Sequence, residues 1–106
     1  MKVQISGGMT GIENYNIEAF ERAENLLLEK GYEPINPHKL GEELKGITFL
    51  TKDDEYAAYM KIDIKSLVTD AEAIYMLNGW ENSKGACIEN IVANVIKLKV
   101  FYEGDI

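Results

Sequence analysis

Two carboxylates stand where an ordinary solvated helix face would not put them. Glu89 heads a stripe of Val92, Ala93 and Ile96, which the i, i+3, i+4, i+7 rule places on one side of a helix. Asp63 falls between Tyr59 or Met60 and Leu67 at helical spacing, on or next to an apolar face. Taking a carboxylate out of water without a partner is costly. Such a residue either stays at the rim or is held in a pocket for a purpose. The plain reading of Glu89 is a first-turn acid favoured by the helix dipole. The chemical reading is a nucleophile or an acid–base group, with Asp63 as a second acid.

The elements that must position these residues can be read from the pattern. Ala73-Ile74-Tyr75-Met76-Leu77 is a short apolar run, a buried strand. The polar stretch Asn78 to Glu89 follows it and leads into a helix over 83–96, patterned by Ile88, Ile91, Val92, Val95 and Ile96. Ser83 is placed to cap that helix, and the free N–H groups of its first turn suit an anion or a polar ligand. Asp53 can cap the preceding helix over 54–68, whose apolar positions are Tyr56, Tyr59 or Met60, Ile64 and Leu67. In open α/β sheets, ligands bind in loops at the carboxyl ends of strands.

Further upstream, Lys2 to Ser6 alternates and is β-prone, a first strand central in the sheet. Ser6-Gly7-Gly8-Met9-Thr10-Gly11 then lets the backbone turn tightly and approach a ligand closely. The loop lacks the Gly-Lys-Ser/Thr of a phosphate-binding loop and the Gly-x-Gly-x-x-Gly spacing of a dinucleotide fingerprint. A plain strand-to-helix turn would look the same. Asn14 or Asn16 can cap a helix over 17–30, with Phe20, Ala23, Leu26 and Leu27 inward and Gly31 as its stop. A short strand over 32–36 contains Pro34, which places it toward an edge. The order implies a right-handed βαβ unit. Residues 38–52 carry no strong period and predict an irregular or short helical excursion, a candidate lid. His38 within it reads as a surface histidine or a ligand contact. Leu98 to Tyr102 is a last strand.

Composition narrows the function classes. At 106 residues the chain predicts one domain, small for wrapping a ligand alone, so a homo-oligomer built on a dimer is expected. Net charge is −7, which disfavours a nucleic-acid polymer but not a single nucleotide. One cysteine and one histidine predict no disulfide framework and no metal site. No cofactor is implied. No apolar run reaches the roughly 18 residues of a membrane span. No leader is recognised, and a reducing cytoplasm is expected. Cys87 reads as a small buried helix residue. Trp80 either packs over the last helix or stacks on a base or a neighbouring subunit.

Three stretches carry a family resemblance. They are Val3 to Gly11 with Tyr15, Asn16 and Phe20; Tyr59 to Ile64 with Leu67, Asp70 and Ala71; and Leu77 to Ala86 with Glu89. On these residues the chain resembles the nucleoside 2-deoxyribosyltransferase-like superfamily, and most of all its small phage- and prophage-associated members. The resemblance covers nearly all of residues 1–106 as a single domain. It implies cleavage of an N-glycosidic bond, or deoxyribosyl transfer, on a nucleoside or nucleoside 5′-monophosphate. It implies Glu89 as nucleophile, Asp63 as the group that positions or protonates the leaving base, and Ser83 on the sugar or 5′-phosphate. Ser6, Gly7, Gly8 and Tyr15 would line the pocket, with Trp80 and Gly85 beside the substrate. For a phage-encoded chain the compartment would be the host cytoplasm. Lys61 and Lys84 stand where relatives often carry Arg, so a bidentate phosphate grip is not implied.

The fold expected from residues and resemblance together is a three-layer, flavodoxin/Rossmann-like α/β domain. Its parallel sheet has four or five strands in the order 2-1-3-4, with a fifth at the end if present. The competing functional reading is a non-catalytic module that binds or sequesters a nucleotide in the same pocket. Ligand recovered unbroken would discriminate the two. A third is an interaction protein in which Trp80 and the six tyrosines serve an interface.

Overall fold

A computed structural model describes residues 1–106. Four strands form one all-parallel sheet in the order β2-β1-β3-β4. They are β1 (Lys2–Ser6), β2 (Glu33–Ile35), β3 (Ala73–Met76) and β4 (Lys99–Tyr102). There is no fifth strand. The helices are α1 (Ile17–Glu29), α2 (Pro37–Leu40), α3 (Lys52–Thr69) and α4 (Lys84–Val95). Pro34 lies in β2, at a sheet edge, where its missing N–H costs no central ladder bond. No helix is long and apolar enough to cross a membrane.

The sheet separates two cores. Val3, Ile5, Ala73, Tyr75 and Phe101 point to one face and meet Phe20, Ala23 and Leu27 of α1. Ile74 and Met76 point to the other and meet Leu67 of α3 with Ala86 and Ala93 of α4. This is the period-2 alternation of strands that are covered on both sides. On β1 the residues alternating with Val3 and Ile5 are Gln4 and Ser6, both fully buried. The polar half of that alternation therefore faces not water but the layer of α3 and α4.

Several local expectations are corrected. Thr51, not Asp53, caps α3: its Oγ1 accepts from Asp54 N–H at 3.1 Å, and Asp53 lies within the first turn. Asn16 occupies the N-cap position of α1, but its side chain makes no capping hydrogen bond. Asn14, Tyr15 and Asn16 take left-handed φ of 54°, 51° and 62°, and from there Asn16 Nδ2 donates to Gly8 O at 3.0 Å. On α4 the large apolar side chains turn outward. Ile91 is 61% and Val95 73% exposed, while the small Ala86 and Ala93 let the helix approach the sheet. His38 is half-buried in α2, edge-on to Phe20 at 4.8 Å, and its Nε2 has no partner. The excursion around it consists of α2 and a 3-10 turn over Gly41–Leu44.

Candidate active site

The site forms where α3, α4 and β1 meet at the carboxyl edge of the sheet. Ser6 is the last residue of β1, and α4 begins at the same edge, after the 3-10 turn Trp80–Asn82 that follows β3. Ser83 caps α4, its Oγ accepting from Ala86 N–H at 3.2 Å. Glu89 follows on the first turns of the helix, on the face that also carries Ala86 and Ala93 against the sheet. Only 5% of it is exposed. Ser6 Oγ donates to Glu89 Oε1 at 2.5 Å, joining residues at opposite ends of the chain. The bond occupies one carboxylate oxygen and leaves Oε2 for a ligand.

Asp63 enters from α3. Its backbone carbonyl accepts from Gln4 Nε2 at 2.9 Å, which pins this turn of the helix to β1. Burial and, next, the charge of Glu89 push the Asp63 carboxyl up to about 8. Burial pushes Glu89 up to about 7, opposed by the Ser6 hydroxyl, which favours the charged form. The two effects order the protons. Glu89 ionises first, beside a neutral Asp63, and Asp63 must then ionise against the charge already on Glu89. Between about 7 and 8 the pair thus shares one proton, with the Ser6 hydroxyl favouring the charge on Glu89 and the proton on Asp63. Such a pair can supply a nucleophile next to a proton donor.

The other expected site residues are placed as follows. Gly8 lies against Ser83: a Cβ on Gly8 would come 3.6 Å from Ser83 Cβ. Gly7 owes its identity to packing, since a Cβ there would meet Leu77 Cδ1 at 2.8 Å. At Gly85 a Cβ would lie 3.0 Å from Tyr56 Oη and 3.1 Å from Met60 Sδ, so α3 closes directly over the start of α4. Trp80 packs against the second core and is tilted on Tyr102 at 5.9 Å between ring centres. Tyr15 is 66% exposed. Cys87 is half-buried, with its thiol toward the carbonyls of Trp80 and Glu81. No group of three His, Cys, Asp or Glu side chains is arranged to hold a metal ion.

Sequence reading missed two members of this site. Gln4 was visible only as the polar half of an alternating strand, and Tyr56 only as an apolar helix position. The available signals were two polar residues, Gln4 and Ser6, on one face of a central strand, and Tyr56 seven residues before Asp63. Two surface clefts of about 310 and 430 Å³ lie elsewhere, one along α1 and α2 and one between α2 and α3, and neither includes Glu89 or Asp63.

Fold and site together define a parallel-sheet α/β domain with a buried and a half-buried carboxyl group, Glu89 and Asp63, toward the carboxyl edge of its central strands. Residues 1–102 match the domain of unknown function DUF4406, and the chain belongs to that family. Comparison with curated proteins and with solved structures returned no match.

Proposed function

We propose that this chain cleaves the N-glycosidic bond of a nucleoside or nucleoside 5′-monophosphate, with Glu89 as nucleophile and Asp63 as acid toward the leaving base. The observation that carries this reading is the pairing of the buried Glu89 carboxyl, held by the Ser6 hydroxyl, with the half-buried Asp63 carboxyl, both raised toward neutrality. The resemblance to nucleoside 2-deoxyribosyltransferase-like proteins supplies the substrate class.

Glu89 Oε2 attacks C1′ as the C1′–N bond breaks, and the departing base takes the proton of Asp63. Oxocarbenium charge building on the sugar is stabilised by the same carboxylate. Water then attacks C1′ of the glycosyl ester, gives its proton to the Asp63 carboxylate, and Glu89 leaves. A second base in place of water completes a transfer, its N–H proton going to Asp63. Ser6 keeps Glu89 oriented throughout. Ser83, whose oxygen already accepts from Ala86, still has its hydroxyl proton to donate to the sugar or a 5′-phosphate.

The same reading includes a second copy of the chain. Ile88, Ile91 and Val95 form an exposed apolar stripe on α4, the helix that carries Glu89. A neighbour seated there would cover the stripe on the helix that carries Glu89. The test of the reaction is incubation of the protein, and of Glu89→Gln beside it, with ribo- and deoxyribonucleosides and their 5′-monophosphates, followed by separation of free base. Base from the native protein alone supports the proposal. Ligand recovered unbroken with binding intact would replace it with sequestration.

A further inference from the structure

The helix α3 carries one more polar group into the crevice. Tyr56, Met60 and Asp63 follow at i, i+4 and i+7 and share a face. Across from them, Gly85 and Glu89 are separated by four residues and share a face of α4. The two faces touch where the Tyr56 hydroxyl lies over Gly85, as the contact that a Cβ there would make at 3.0 Å shows. Helical side chains lean toward the N-terminus, so Glu89 reaches back along α4 toward that hydroxyl. The charges of Glu89 and Asp63 both act on the phenol, with Glu89 the stronger. Seven residues of helix set Tyr56 about 10 Å above Asp63 along α3. Tyr56 is therefore the outermost of the three, Asp63 is half-buried and Glu89 is the most deeply buried.

Tyr56 is no core residue. It is 40% exposed, and no hydrogen bond within the chain holds its hydroxyl. A phenol can donate one hydrogen bond without carrying charge, which suits a position facing the helix that carries the Glu89 carboxyl. An anionic group there would be repelled by the Glu89 carboxylate, whereas a neutral hydroxyl is not. A sugar bound through C1′ over Glu89 carries its own hydroxyls only a few atoms away.

We propose that Tyr56 is a sugar-binding residue, its hydroxyl donating to a neutral ring or 5′ hydroxyl of the substrate held over Glu89. The assignment rests on the N-glycosidic reading for its substrate class. It makes Tyr56 a determinant of which sugars are accepted, and it explains why position 85 is a glycine. A larger residue there would displace the phenol from the crevice.

The test is a cycle of binding measurements by calorimetry, which needs no turnover. Native protein and Tyr56→Phe are each titrated with 2′-deoxyadenosine, 2′,3′-dideoxyadenosine and 2′,5′-dideoxyadenosine, on a Glu89→Gln background where cleavage would consume the ligand. The expected result is that Tyr56→Phe weakens 2′-deoxyadenosine about 3- to 10-fold, the range of one neutral hydrogen bond. One of the two dideoxy analogues should bind both proteins alike, because the partner hydroxyl is already gone. Equal loss for all three ligands, or no loss for any, would overturn the assignment. Coupling to one hydroxyl in a protein that releases no base would keep the assignment and overturn the hydrolytic reading. Failure of all three ligands to bind the native protein would overturn both.

Discussion

Removing the Ser6 hydroxyl perturbs the site at a single atom. In Ser6→Ala the carboxylate of Glu89 loses the one hydrogen bond that opposes its burial. Hydrogen bonds to charged groups contribute about 1.5–3 kcal/mol, which at 1.36 kcal/mol per pH unit raises Glu89 by about one to two pH units. The native pH–rate profile should rise as Glu89 ionises at about 7 and fall as Asp63 loses its proton at about 8. In the variant the rising limb moves up and meets the falling one. The ionised fraction of Glu89 at pH 7, near one half in the native protein, drops by roughly 5- to 50-fold, and the rate drops with it. The assay is base release followed across pH 5.5 to 9.5, an interval spanning roughly two units either side of the pair. Carboxylate chemical shifts of Glu89 titrated in parallel report the same move without turnover. A rising limb that stays in place while the rate falls uniformly would refute the reasoning, because Ser6 would then act on the fold and not on the charge.

Further outcomes follow from the same geometry. Both carboxyl groups are raised above their ordinary values of 4.5 and 3.8, so the folded protein holds their protons more tightly than the unfolded chain, and stability falls as pH rises from about 4 through 7 and 8. The Glu89 contribution is roughly 3 kcal/mol for its move from 4.5 to about 7. Glu89→Gln and Asp63→Asn should therefore each raise Tm at pH 9 and change it little at pH 4; equal shifts at both values would contradict this. Gly7→Ala puts a Cβ 2.8 Å from Leu77 Cδ1 and 2.9 Å from its Cβ, which should cost about 1–3 kcal/mol in urea unfolding, and an unchanged midpoint would contradict it. Ile91→Glu with Val95→Glu should shift sedimentation to a smaller species without unfolding the chain, and native protein that sediments as a monomer would remove the self-association proposal.

Much of the architecture was legible because it depends on local pattern. The apolar run at 73–77, the Ser83 cap and Pro34 at an edge each need only a few neighbouring residues to interpret. Helical spacing alone marks Glu89 and Asp63 as awkwardly placed acids, and in the fold Glu89 is buried and Asp63 half-buried. Other features were illegible for equally physical reasons. The bond from Ser6 to Glu89 spans 83 residues, and no local period encodes it. Alternation in β1 has the same form whether its polar half meets water or a buried carboxylate. Helix α4 is apolar on two sides, so periodicity could not say which side packs; the small size of Ala86 and Ala93 decides it. Thr51 and Asp53 are both good caps, and only the extended backbone at Thr51 selects between them.

The central claim is that Glu89 bonds covalently to a sugar. The most direct measurement is rapid acid quench of the protein with a deoxyribonucleoside it cleaves, then peptide mass analysis. The account predicts a pentosyl ester on the peptide containing Glu89, formed together with free base and absent from Glu89→Gln. Base release by Glu89→Gln at the native rate would contradict it.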